Sequence, residues 1–264
     1  MTTHTLRASE QSSTSALNSA ISDLPILEVS LAAVDFAPST HIGKNGRFSG
    51  RKGETIRMLC QIGRMDCTFR VYPANGAYAG FERGRHDALL TSEHKRFEDC
   101  CTFSSYQTPW TVGIIAAKGS IIPTNEAELI GSNIIMVRGW QSPYKAFPNL
   151  DDLIATGQVK VTNSDSIVSS IKMFQKGRAP LLWGSDVFDW HFNHLKIDKS
   201  DLKFKELVSI PSGIWVSKAS LNHDEILNRI DFAVKTLTDQ GSLENNILKP
   251  ALLDAVYEDA IPPH

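Results

Sequence analysis

No run of apolar residues in this chain approaches the roughly 18 needed to cross a membrane as a helix. The segment from Met1 to Asp23 also lacks the hydrophobic block of an intact secretory signal. It is rich in Ser, Thr and Ala, and too few apolar residues remain to offset the entropy of ordering, so residues 1–23 are expected to form a disordered tail. A cytoplasmic chain and a chain whose signal has been removed both fit this. Cysteine is scarce. The four present, Cys60, Cys67, Cys100 and Cys101, form no C-x-x-C pair, which excludes a zinc knuckle or a thioredoxin-like site. They are expected to be buried or half-buried free thiols, with a disulfide only in an oxidising compartment. Charge of one sign is missing too. With 27 basic and 29 acidic residues the net charge is −2, so nothing calls for a polyionic partner.

The motifs of common catalysis are absent as well. Gly46-Arg47-Phe48-Ser49-Gly50 is displaced by one residue from a nucleophile elbow. The glycines at 43, 46, 50 and 53 lead to no Gly-Lys-Ser/Thr ending, and no G-x-G-x-x-G follows a strand, so no nucleotide cofactor is indicated. His191 and His194 share a helix face, with Asp186 and Asp189 nearby, but no third ligand has metal-site spacing. They read as part of an amphipathic helix, and His86 and His94 as isolated surface residues. The basic stretch Lys44, Arg47, Arg51, Lys52 and Arg57 lacks interleaved aromatics, which argues against nucleic acid and for a solvated face.

What is present is alternation. Ile26–Ala33 is an apolar, β-forming run, and Asn45-Gly46 marks a hairpin. Helical spacing over 55–62, strand patterning over 66–72, a short helix over 75–83 and a strand over 87–90 follow. A second set begins after Trp110. Strands are predicted at 111–117, 133–137, 158–162 and 181–183, with helices at 142–147, 164–174 and 187–195. Residues 207–216 read as two strand-like runs split by Pro211-Ser212-Gly213. The helix over 225–237 aligns Ile226, Ile230, Val234 and Leu237. Two strand–helix sets with a returning terminal segment predict an α/β protein of two mostly parallel sheets. One lobe is expected from 24–107 plus 208–264 and the other from 108–207.

Several segments in order carry a family likeness. They are Gly46 to Gly50 running into Glu54, Gly84-Arg85-His86-Asp87-Ala88, Ser92 to Arg96, and Phe103-Ser104-Ser105-Tyr106. Further along stand Val137 to Ser142, Phe174 to Arg178, Gly213 to Lys218, and Leu237 to Ile247. Over about residues 26–250 the chain resembles the bacterial extracellular solute-binding proteins of family 3, the amino-acid type. It departs from their pattern in the short Asp87-to-Arg96 connection and in Pro180, which stands where an acidic residue is usual.

The resemblance implies the two-lobed type 2 periplasmic-binding fold, with two crossovers and a cleft that closes on a small polar ligand, an amino acid or related carboxylate. It implies transport or sensing in the periplasm, an ABC transporter permease as partner, a monomer, and neither cofactor nor metal. It places Arg96 beyond the third strand, where its planar fork would hold a ligand carboxylate. Ser92 and Ser142 would supply hydroxyls and Asp186 would balance a ligand ammonium or cap a helix. Phe36, Tyr78 and Trp140 would form apolar walls. Two other readings stay open. One is an enzyme on the same fold, such as a dehydratase of a cyclic carboxylic acid, with Glu54 or Glu93 nominated as acid or base. The other is a regulatory protein that has lost its ligand.

Overall fold

The computed structural model describes residues 25–249. The tail expectation for 1–23 and the terminal residues 250–264 of the first lobe lie outside the described residues. Strand β1 (Leu27–Val34) buries Val29, Leu31 and Ala33 on one face and Ala32 on the other. That double burial is why it reads as an unbroken apolar run. After the hairpin β2 (His41–Ile42) and β3 (Phe48–Ser49), helix α1 (Arg51–Ile62) returns the chain to β4 (Met65–Tyr72). Helix α2 (Ala74–Glu82) then leads to β5 (Ala88–Ser92). Strand β1 pairs in parallel with both β4 and β5, as right-handed crossovers require.

The next strand is longer than expected. Patterning predicts its start at Thr111, but β6 runs from Cys101 to Ala117. The two runs predicted around Pro211 are likewise one strand, β10 (Leu202–Ser217). The other strands are β7 (Asn133–Val137), β8 (Lys160–Ser164) and β9 (Leu181–Ser185). The helices between them are α3 (Glu126–Leu129), α4 (Ser142–Ala146), α5 (Leu150–Ala155), α6 (Ile167–Gln175) and α7 (Phe188–His194). Helix α8 (His223–Asp239) and the small hairpin β11 (Leu243–Glu244) and β12 (Ile247–Leu248) close the described chain.

Two separate sheets are expected from sequence. Hydrogen bonding instead runs through one sheet, in the order β4-β1-β5-β10-β6-β9-β7-β8. The cause is that both crossovers are themselves strands. The 17 residues of β6 span about 55 Å at the rise of a β-strand, and β10 pairs antiparallel along nearly all of that length. The side chains nevertheless segregate. Two apolar clusters draw on residues 29–106 and 214–248, among them Leu31, Ile56, Tyr106, Ile214 and Ile230, and Phe81, Phe97 and Trp215. Two others draw on residues 112–210, among them Ile114, Phe147, Trp183 and Ile210, and Ile135, Ile171 and Phe188. Between the two groups Pro109 stands opposite Pro211 in the β6–β10 register. Neither residue has an N–H to give to the ladder.

The cysteines are paired, contrary to the expectation of free thiols. Cys60 on α1 bonds Cys67 on β4, and Cys100 bonds its neighbour Cys101. A two-residue turn joins α1 to β4 and brings Cys60 and Cys67 to a Cα separation of 6.2 Å, inside the range a disulfide spans. His86 is buried rather than at the surface, with Nδ1 2.8 Å from the Ser30 hydroxyl.

Candidate functional site

In α/β folds the carboxyl ends of the strands present loops and helix starts to a common space, and ligands gather there. Here that space lies between the two groups of core. It is formed by the end of β1, the start of α1, the end of β5, Trp110 on β6, Trp140 and Gln141 after β7, and Ser212 on β10. Its volume is about 560 Å³, counted with its open mouth.

Three aromatic rings make one wall. Phe36 meets Trp110 edge-on at 5.3 Å and Trp140 at 5.8 Å, and the two indoles lie 5.7 Å apart at a steep angle. The indole N–H of Trp110 is buried without a hydrogen-bond partner among the described residues. Tyr78 also lines the space, and its hydroxyl is 3.2 Å from that of Thr91. Burial pushes the Tyr78 phenol up.

Lys52 supplies the charge. Its side chain comes from the first turn of α1 and is 8% exposed. The backbone around it is tightly set. The Ser39 carbonyl accepts from the amides of Lys52 and Gly53, at 3.0 and 3.2 Å. Gly50, at φ +103°, lets the chain pass so close that a Cβ there would sit 2.4 Å from the Ser39 oxygen. Burial lowers the Lys52 pKa to about 8, against an opposing pull from Asp186. Lys52 also borders a second space of about 850 Å³, lined by Asp186, Arg51 and Trp190. The carboxyl of Asp186 is itself raised by partial burial, and Lys52 counters that.

The two halves touch around this space. His191 on α7 donates from Nε2 to the Ala37 carbonyl at 2.9 Å, while its Nδ1 is buried without a partner among the described residues. Burial lowers its pKa to about 4. Lys145 reaches Glu93 at 3.4 Å. Gly139, at φ +84°, approaches Asn75 so closely that a Cβ would stand 2.7 Å from the side-chain oxygen. A wider cleft of about 1640 Å³ adjoins, with Asp35, Arg138 and Asp165 on its walls.

Of the residues singled out from sequence, Phe36, Tyr78, Ser92 and Trp140 line the cavity together. Arg96 does not. Its guanidinium forks onto Glu82 and lies 6.0 Å from the Tyr78 ring centre, with 45% of the side chain exposed. Ser142 is buried, and its hydroxyl accepts from the Trp183 indole at 2.9 Å. Asp186 accepts from the Val187 amide at 3.0 Å beside α7. Glu54 is held by Arg47 and Arg57, and neither Glu54 nor Glu93 lines the cavity.

Lys52 is the main residue that sequence reasoning missed. The basic stretch in the sequence reads as a solvated face, but the helix begins at Arg51 and turns Lys52 inward with Thr55, Ile56 and Leu59. That spacing of three and four along the helix was the available signal.

No family model matches the chain, and no curated protein matches it. Solved structures do. A histidine kinase sensor domain with similarity to periplasmic binding proteins superposes with a TM-score of 0.69 at 16% identity, covering 84% of this chain and 98% of that one. An ancestral arginine-binding protein bound to arginine gives 0.66 at 18% identity, over 88% and 96%. A Salmonella typhimurium periplasmic binding protein of high arginine specificity gives 0.62 at 16% identity, over 81% and 94%. Across more than four-fifths of its length, the chain carries the two-lobed α/β fold of the periplasmic binding proteins.

Proposed function

We propose that this is a solute-binding protein whose lobes, 24–107 with 208–264 and 108–207, close on a small polar ligand, an amino acid or a related carboxylate. The observation that carries the reading is the cavity itself. It sits at the junction of the two cores and takes side chains from both, Tyr78 and Lys52 from one side and Trp140 and Gln141 from the other. Closure removes water from such a space and strengthens each polar contact made in it. In this reading Phe36, Tyr78, Ser92 and Trp140 touch the ligand. Arg96 braces the Tyr78 wall from outside, Ser142 positions Trp183, and Asp186 sets the field at Lys52.

The protein binds without turnover, works in the periplasm as a monomer, and passes its ligand to an ABC transporter permease. Nucleic acid has no part in this reading. A sensing role is the second reading, favoured by the likeness to a kinase sensor domain. Native mass spectrometry of the purified protein, followed by calorimetric titration with the mass-identified compound, tests the proposal. The expected result is one bound small molecule per chain, recovered unchanged after incubation. Chemical conversion of that molecule, abolished by mutating a cavity residue, would refute it.

A further inference from the structure

The lining of the cavity is asymmetric in charge. Among the described residues Lys52 is its one charged residue, and no aspartate or glutamate lines it. Among the described residues no hydrogen bond and no ion pair within 4 Å holds the Lys52 ammonium. The other deeply buried cation, Arg229, is tied to Glu225 and to the Pro25 and Arg64 carbonyls. Asp186, on the adjoining space that Lys52 also borders, acts on the ammonium electrostatically but forms no ion pair with it, and Asp35 faces the wider cleft. Phe36, Trp110 and Trp140 line the same cavity. A buried cation that no carboxylate touches is costly unless an anion meets it. An aromatic wall accepts a flat or cyclic apolar body. A ligand's own ammonium would find the aromatic faces but also the charge of Lys52, and no carboxylate to pair with.

Resting on the solute-binding reading above, we infer that the ligand is a carboxylate with a ring-like apolar body and no α-ammonium, and that Lys52 anchors its carboxylate. The ammonium is set for this exchange. With a pKa of about 8 it is charged at neutral pH, and a bound anion raises that value, so binding takes up protons at alkaline pH. Above about pH 8 the affinity falls, approaching tenfold per pH unit until the pKa of the complex is reached.

The test is calorimetric titration of the full chain, freed of co-purified ligand by unfolding and refolding. One set of probes is 3-phenylpropionate, indole-3-acetate and cyclohexanecarboxylate. The second is phenylalanine, tryptophan and phenethylamine. At least one acid of the first set should bind ten times more tightly than every member of the second. Its affinity should fall at least tenfold in Lys52→Met and in Lys52→Gln. Tighter binding of phenylalanine or tryptophan would overturn the inference and leave the solute-binding reading standing. So would wild-type affinity in both variants. No binding of any probe overturns this inference, and the solute-binding reading falls with it only if native mass spectrometry also finds no bound molecule. The wild-type comparison needs no variant to fold.

Discussion

The contact most sensitive to solution conditions is His191 against Ala37. His191 is 4% exposed, and its Nε2–H is committed to a carbonyl of the other half of the molecule. A proton can be added only at Nδ1, which is buried and has no hydrogen-bond partner among the described residues. Burial therefore lowers the pKa from 6.5 to about 4, helped by the charge of His194 and opposed by the Ala37 carbonyl. The folded value is below the unfolded one, so the unfolded or opened chain takes the proton first. Stability is complete above pH 6.5 and is lost as the pH falls from 6.5 towards 4. At about 1.4 kcal/mol per pH unit, the loss is about 2 kcal/mol at pH 5 and about 3 kcal/mol near pH 4. Opening the cleft also rehydrates the ring, so acid favours the open arrangement before it favours unfolding. His191→Gln keeps an N–H donor and removes the titration. Urea melts of both proteins at pH 8, 6.5, 5 and 4, with scattering radii in the absence of ligand, would measure the difference. Wild type should lose about 2 kcal/mol more than the variant between pH 8 and 5 and should expand at pH 5 when the variant does not. Superimposable pH profiles for the two would refute the reasoning.

Three further outcomes are expected. Lys52→Met removes a buried charge held at a pKa of about 8 instead of 10.5, so it should raise stability at pH 7 by up to about 3 kcal/mol. Wild type should gain stability from pH 8 to 10.5 while the variant does not, in urea melts. Arg96→Ala breaks a pair that is largely exposed, so it should cost no more than about 1 kcal/mol of folding stability and change affinity for the co-purifying ligand less than threefold by calorimetry. Trp140→Ala removes the ring that meets both Phe36 and Trp110. Truncating such an anchor costs about 2 kcal/mol or more, roughly thirtyfold in ligand affinity, and its melting temperature without ligand should fall less than that of Trp183→Ala, a fully buried core residue.

The strand–helix alternation was legible because periodicity switches between two and three to four residues wherever one face is buried. The apolar run at β1 and the stripe on α8 both follow from this. The length of the crossovers was not legible. In β6 burial alternates strictly from Ser104 to Pro109, but two of the buried positions are the polar Ser104 and Thr108, so no apolar alternation marks the strand, and Pro109 argues against one. Four residues singled out from sequence line the cavity, Phe36, Ser92 and Trp140 at or just beyond strand ends and Tyr78 on α2. Arg96 was assigned by position along the chain, and sequence does not show that Glu82, fourteen residues earlier on α2, lies beside it. Lys52 was obscured by its neighbours. Lys44 and Arg47 are exposed and Arg51 is half-buried, and composition cannot distinguish the one cation that the helix turns inward. The disulfide from Cys60 to Cys67 depended on the tightness of the turn at Gly63 and Arg64, which spacing alone does not fix.

Pro109 and Pro211 face each other where the two cores part. A two-stranded ribbon resists bending because each amide must break and remake its bond as the ribbon flexes. At this register neither strand offers an amide hydrogen, so bending there asks less of the backbone than bending a few residues to either side. The proline pair lies between two register breaks of the same ribbon, at Glu206/Val208 and Gly213/Trp215, so the compliant stretch of both strands spans the height at which the cores part. Moving either proline two residues along its strand would not simply loosen or tighten the protein. It would carry the amide-free register away from the height at which the two cores part.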